Sequence, residues 1–349
     1  MHPTPAHDEP GVTDLPGNAD ADGTRGTATV SARHPSARVQ FIRRRLTRLL
    51  ISVWVLITFS FLIIHLVPGD PVRAALGLTA DPALVARMRA DLGLNDSLVL
   101  QYFRFIGHLF TGDLGVSLQN RLPVSETIAD RLPSTLGIAV LAFVVIVLVA
   151  IPVGVGMAVL TRGGRRRGAE LTYTALATVT AAIPEFLLGV VFVYLFAVSV
   201  QLLPIAGKSG PSSYILPVAS LSIGAIAALS RVVRVETLSI LGEDFVRTAR
   251  AKRLPGRLVY LRHALPNAIT ATLTIGGLLL SSLVTGTVLV ETIFAWPGLG
   301  QSLVTSILTK DYPLMQGIVL VYGGMVLLIN LLVDVALAVI DPRSTIVDA

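Results

Sequence analysis

The sequence reads as an all-α integral membrane protein with about six transmembrane helices, and three observations carry that reading. Its 349 residues are 53% hydrophobic and only 14% charged, whereas a soluble domain carries about 25% charged residues. Apolar stretches almost free of charge recur at 49–67, 135–160, 172–200, 215–230, 268–290 and 314–340, and a bilayer core requires about 20 such residues in a row. The 28 Lys and Arg residues alternate between connecting segments, 20 on one set and 8 on the other.

That alternation sets the expected topology. Seven cations precede the first span, Arg162, Arg165, Arg166 and Arg167 follow the second, eight lie within 231–263, and Arg343 is in the tail. Positive charge concentrates on cytoplasmic loops, so both termini are expected in the cytoplasm, which an even number of spans satisfies. The net charge of +6 thereby finds its explanation in topology, and a nucleic-acid partner is not called for. With no cysteine and six scattered histidines, neither a disulfide framework nor a zinc site is expected.

Taken in order, residues 1–37 are rich in Pro, Gly, Asp, Thr and Ala without apolar period, the composition of a disordered cytoplasmic tail. Residues 38–67 form a basic flank and the first span, a retained helix rather than a cleaved leader, because its apolar run is long and ends in PGDPV. Residues 68–134 make an external segment in which DPALVARMRADLGL and LVLQYFRFIGHLF carry helical spacing, with a further helix expected to start at Ser125 or Thr127. Residues 135–343 hold five more spans, and 344–349 are a tail. Pro152 and Pro184 should kink their helices, and Arg231 and Arg234 shorten the fourth span. The segment 236–267 reads as two short cytoplasmic helices broken at Pro255 and Gly256.

Enzymatic motifs fail on inspection. AGKSG at 206–210 resembles the end of a phosphate loop, but Leu202 stands where the first Gly is required, and neither GxSxG nor HExxH is present. Charge inside a span is expensive, which singles out Glu185 and Asp334 as the two buried carboxylates. Glu185, thirteen residues into the third span, should lie about 20 Å along it, either paired with Arg231 or Arg234, or held protonated, or lining a solute path. Asp334 is expected beside Arg343 or Arg48. Two such groups are few for a proton relay. Small residues at Gly154, Gly156, Gly276, Gly277, Ser281, Ser282 and Gly286 point to close helix packing within the chain.

The segment RTARAKRLPGRLVYLRHALP resembles the cytoplasmic EAA loop of ABC importer permeases, whose pattern is EAA, three residues, Gly, nine residues, Ile, one residue, Leu-Pro. Arg247, Thr248 and Ala249 stand at the EAA positions, His263 at the Ile, and Leu265 and Pro266 at the end; Arg253 replaces the Gly. Gly there permits a turn with positive φ, so the turn must pass to Arg253 itself or to Pro255 and Gly256. LVPGDPV, TGDLGVSL, LPSTL, ETIFAWPGLG, KDYPLMQG and NLLVDVALAVIDPR extend the similarity from about Leu46 to Arg343 and narrow it to permeases for dipeptides, oligopeptides, nickel or glutathione.

The resemblance implies a type I importer bundle in the bacterial cytoplasmic membrane. This chain would be one permease, paired with a related second permease, fed by an external solute-binding protein and driven by two cytoplasmic ATPase subunits that hold ATP and Mg. No cofactor would be bound by this chain itself. Arg247, Thr248, Ala249, Arg250, Arg253, Leu265 and Pro266 would form the coupling loop, and Ala249 is expected to face water until an ATPase docks. A proton-coupled carrier and a membrane enzyme are the rival readings; the EAA-like loop, for which a carrier has no partner, separates the carrier from the importer, and product formation by the lone chain would favour the enzyme.

Overall fold

A computed structural model of the chain describes residues 37–66, 70–77, 80–91, 93–164, 166–253, 255–259 and 265–340. Of the tails expected at 1–37 and 344–349, all but Ala37 lies outside these, as do His263 and Arg343. In chain order the helices are α1 (Ala37–Leu66), α2 (Pro71–Leu76), α3 (Pro82–Asp91), α4 (Leu98–Phe110), α5 (Val124–Thr161), α6 (Arg167–Ala182), α7 (Glu185–Phe192, continued by a π-helical turn Val193–Ser199), α8 (Ile215–Ile240), α9 (Asp244–Ala251), α10 (Gly256–Leu258), α11 (Leu265–Ile293), α12 (Leu299–Leu308) and α13 (Tyr312–Ile340). Among the described residues α1, α5, α8, α11 and α13 are long and apolar enough to cross a membrane, and α6 with α7 makes a bent sixth span.

Two helix boundaries differ from the sequence reading. No separate helix starts at Ser125 or Thr127, because α5 begins at Val124 and continues through Pro133 and Pro152 for 38 residues, about 57 Å at 1.5 Å per residue. Each proline removes one helical bond, but buried Val124, Ile128, Ile138, Ala142, Ile146 and Ala150 give the helix a packed face along most of its length, and it continues through both without a break. Pro184 acts more strongly than a kink. The residue before proline is pushed out of the helical region, Ile183 takes φ −77° and ψ 121°, and the chain turns by 89° between α6 and α7. Glu185 is therefore in the first turn of a new helix, and the depth inferred for it along one continuous span does not apply.

The core lies where α5, α8 and α11 meet. Ile138 and Ile146 from α5, Leu229 and Val233 from α8, and Leu283 and Val290 from α11 pack together with Trp296. Close approach is built in: a Cβ at Gly154 of α5 would fall 2.6 Å from the Ser230 carbonyl of α8. A second cluster joins Val124 and Ile128 to Val284, Leu299, Leu314, Ile318 and Tyr322. The first span packs antiparallel on the last: Gln316 Nε2 donates to the Ser60 carbonyl at 3.3 Å, and Arg45 pairs with Asp334. Arg45 thus stands where Arg48 was expected, one helical turn before it on α1; Arg343, the other expected partner, lies outside the described residues.

Candidate functional site

Three polar assemblies stand out, at the two ends of α5 and beside its middle. At the Val124 end, motifs separated by up to 194 residues close on one another. The Asp311 carboxylate, 1% exposed, accepts from Ser117 Oγ and from the Leu118 N–H at 3.1 Å. Glu291, fully buried, accepts through Oε2 from the N–H groups of Gly300 at 2.7 Å and Gln301 at 3.2 Å, while Thr135 Oγ1 accepts from the Leu299 N–H at 2.8 Å. These are orphan donors of the first turn of α12, capped from two other helices. Trp296 Nε1 donates to the Ser134 carbonyl at 3.1 Å. TGDLGVSL thus locks to KDYPLMQG, and LPSTL to ETIFAWPGLG.

Sequence reasoning missed this assembly and named the wrong carboxylates as deepest. Glu291 and Asp311 are enclosed, whereas Glu185 and Asp334 are only half buried. The signal was present in VLVETIFAW: a lone carboxylate in an apolar run must find donors, and the Gly-rich turn that follows supplies them.

At the other end of α5, α8 leads into the loop carried by α9 and α10. Leu241, Val246, Ala249 and Val259 form a small core of their own, and Ala249 is only 6% exposed. This corrects the expectation that Ala249 faces water: α9 is amphipathic, and Ala249 follows Val246 by three residues on its inner face. The outer face carries Arg247, 75% exposed and paired with Asp244 at 3.2 Å, together with exposed Thr248, Ala251, Lys252 and Arg253. Arg253 itself adopts φ 56°, so the turn that the Gly position serves is kept with an Arg in it, and Pro255 does not take it over (φ −61°, ψ 140°). Leu265 and Pro266 open α11 rather than closing a helix before it.

Next to that loop, Arg234 donates to Glu170 Oε1 at 2.6 Å and to Thr161 Oγ1 at 3.1 and 3.3 Å, tying α5, α6 and α8. Arg231 donates to Thr178 Oγ1 at 3.0 Å, and Tyr173 Oη to Ser230 Oγ at 2.8 Å. The structure does not bring Glu185 to either arginine. Its carboxylate instead faces a cavity of about 270 Å³ lined by Ala181, Ile183, Ser220, Gly224, Ser282 and Gly286 among others. Gly286 makes room, since a Cβ there would stand 2.9 Å from Glu185 Oε1. The geometry thus removes the expected pair with Arg231 or Arg234 and leaves Glu185 on a cavity wall. Lys208 of the AGKSG segment donates to Ser134 Oγ at 3.3 Å. Among the described residues no group of three His, Cys, Asp or Glu could hold a metal ion.

Residues 38–139 match the N-terminal part, and residues 150–346 the main part, of the binding-protein-dependent transport system inner membrane component. The chain belongs to that family. It is an ABC importer permease of the peptide and nickel group. Relatives include the glutathione transport system permease protein GsiC of Salmonella paratyphi A, 36% identical over 304 residues, which cover 87% of this chain and 98% of the relative. A Brucella suis protein, named provisionally as a peptide transport system permease, is 37% identical over 310 residues, covering 86% and 98% respectively. Inward-facing structures of the MetNI methionine ABC transporter share the fold, with a TM-score of 0.53 and 20% identity over 61% of this chain and 96% of theirs. The helix-breaking Pro184 and the amphipathic loop 244–259 are therefore features of an importer permease, a membrane-embedded subunit of a larger complex.

Proposed function

We propose that this permease moves short peptides, glutathione among them, inward across the bacterial cytoplasmic membrane by alternating access. The observation that carries the reading is the joint presence of a cavity at a broken span and, at one end of the bundle, a separately packed amphipathic loop with an exposed cationic face. Irregular backbone at membrane depth is tolerated where it lines a water-filled cavity, and transporter sites form at such discontinuous helices. The cavity beside α6, α7, α8 and α11 is the part of the path contributed by this chain. The loop is the coupling element: Arg247, Thr248, Arg250, Lys252 and Arg253 meet a separate ATPase subunit, which carries ATP and Mg, while the Leu241–Val259 core holds α9 rigid enough to transmit its motion. Leu265 and Pro266 pass that motion directly into α11, which lines the cavity.

A second, related permease completes the path, an external solute-binding protein delivers the substrate, and both termini of this chain face the cytoplasm. Peptide ranks ahead of nickel because the relatives carry glutathione and peptide names and the cavity offers room without a metal-ligating cluster. The test is uptake of labelled dipeptide, glutathione and nickel by cells lacking their own importers and expressing this chain with its neighbouring subunits. Uptake of dipeptide or glutathione that stops when this chain is omitted supports the reading; uptake of nickel alone refutes it.

A further inference from the structure

The polar groups lining the Glu185 cavity share one property: they accept hydrogen bonds and have none to give. Ser220 Oγ already donates to the Leu216 carbonyl at 2.7 Å, and Ser282 Oγ to the Leu279 carbonyl at 2.8 Å, so each presents only lone pairs to the cavity. The helix break adds backbone acceptors. Pro184 has no N–H, and the N–H groups of Leu187 and Leu188 turn to the Pro184 carbonyl at 3.0 and 3.2 Å. Among the described residues no backbone donor from α7 reaches the carbonyls of Ala181, Ala182 or Ile183. The Ile183 carbonyl lies against Gly224 on the cavity wall, 3.7 Å from where a Cβ would stand.

Among the described residues no Lys, Arg or His lines the cavity. The nearest cations of α8 are committed elsewhere, Arg231 to Thr178 and Arg234 to Glu170 and Thr161. Among the described residues Glu185 forms no ion pair. The site therefore offers a carboxylate, two hydroxyl oxygens and freed carbonyls, and it matches a ligand that brings positive charge and several donors at one point.

We infer that this cavity is an ammonium subsite that takes the free amino terminus of a peptide in transit, with Glu185 as its counter-charge. An ammonium group carries three donors and no acceptor, the complement of this lining. The volume of about 270 Å³ is near the lower end of small-molecule pockets; it exceeds what a bare ion occupies and suits an amino group with the few atoms attached to it. The inference rests on the cavity being part of the path, and its test must fail separately from that reading.

The chain contains no cysteine, so Ser282→Cys introduces a single thiol into the cavity wall, on a residue that is exposed in this chain. In the detergent-solubilised full complex, the rates of its modification by a cationic trimethylammonium thiosulfonate and an anionic sulfonate thiosulfonate are compared, with Leu202→Cys, outside the cavity, as reference. A carboxylate on the wall of the same cavity, at an effective dielectric between those of protein and water, raises the cation-to-anion ratio roughly tenfold. Adding Glu185→Gln should return it to the reference value. A free-amine dipeptide should slow labelling, whereas its N-acetyl counterpart should not.

A ratio untouched by Glu185→Gln, protection by the N-acetyl peptide equally, or protection by nickel chloride alone would overturn the inference. Ala225→Cys, on the α8 wall of the same cavity, provides a second thiol if Ser282→Cys does not fold. Charge-selective labelling in a complex that moves no peptide would break the transport reading and leave the subsite standing. Peptide uptake without charge selectivity at either thiol would do the reverse.

Discussion

Replacing Glu291 with Ala should be among the most damaging single changes in this chain, although the residue lies far from the coupling loop. Its Oε2 holds the N–H groups of Gly300 and Gln301 at the start of α12, in a site from which water is excluded. A buried donor left without a partner costs about 1–3 kcal/mol, so two cost about 2–6 kcal/mol, and the void left by the side chain adds to this. Glu291→Gln retains an acceptor oxygen in nearly the same volume, and should cost less than half as much. Close packing leaves no room for rescue by a shift of the turn, since a Cβ at Gly300 would already stand 2.5 Å from the Val288 Cα. The assay is thermal unfolding of the purified permease in detergent followed by tryptophan fluorescence, for Trp296 is fully buried beside the site, with hydrogen exchange at residues 299–303 as a local readout. A loss below about 1 kcal/mol for Glu291→Ala, or equal losses for Ala and Gln, would refute the view that two capped amides fasten this corner.

Four further outcomes follow from the geometry. Ala249→Trp should lower thermal stability by about 1–3 kcal/mol through overpacking of the Leu241–Val259 core, whereas Ala251→Trp, on the exposed face of α9, should abolish copurification of the ATPase with the melting temperature unchanged. Arg253→Gly should slow hydrogen exchange across 244–259 by relieving a non-glycine residue at φ 56°, a conformation costing roughly 1–2 kcal/mol, and Arg253→Val should accelerate it. Asp70 caps α2 through the Val72 N–H and pairs with Arg89 at 2.8 Å; burial raises its pKa, but the Arg89 and Val72 hydrogen bonds outweigh that and hold it below the ordinary 3.8. Because the folded value is the lower one, its contribution to the 70–91 segment is complete above that pH and is lost as pH falls through the folded value, a dependence that proteolysis at graded pH should detect and Asp70→Asn should flatten. Gly164→Cys and Ser209→Cys should label from opposite sides of the membrane, and same-side labelling would contradict the topology drawn from the charge split.

Six apolar runs were legible because hydrophobic length is a one-dimensional property, and the breaks at Pro184 and between α9 and α10 followed from residues with strong local preferences. What sequence could not resolve is the degree to which tertiary contact overrides or amplifies those preferences. α5 runs on without a break through Pro133 and Pro152, both on its exposed side, whereas Pro184 bends its span by 89°, a distinction that depends on neighbours across the bundle. The loop of two short helices was legible by spacing, yet Ala249 was assigned to the wrong face, since its burial depends on Leu241 and Val259 folding back over α9. Glu185 was singled out correctly as a carboxylate within an apolar span, but for the wrong depth and with a partner it does not have. Glu291 and Asp311 were passed over because their donors come from turns that only the assembled fold brings near.

The central claim, that this chain is a permease driven by ATP on separate subunits, is tested most directly by uptake of labelled dipeptide or glutathione into proteoliposomes containing the purified complex. The account predicts inward movement only with ATP supplied on the ATPase side and the solute-binding protein on the other, lost with Ala251→Trp, and unaffected by collapse of the proton gradient. Uptake by this chain alone, without ATP and abolished by a protonophore, would contradict it and establish a carrier instead.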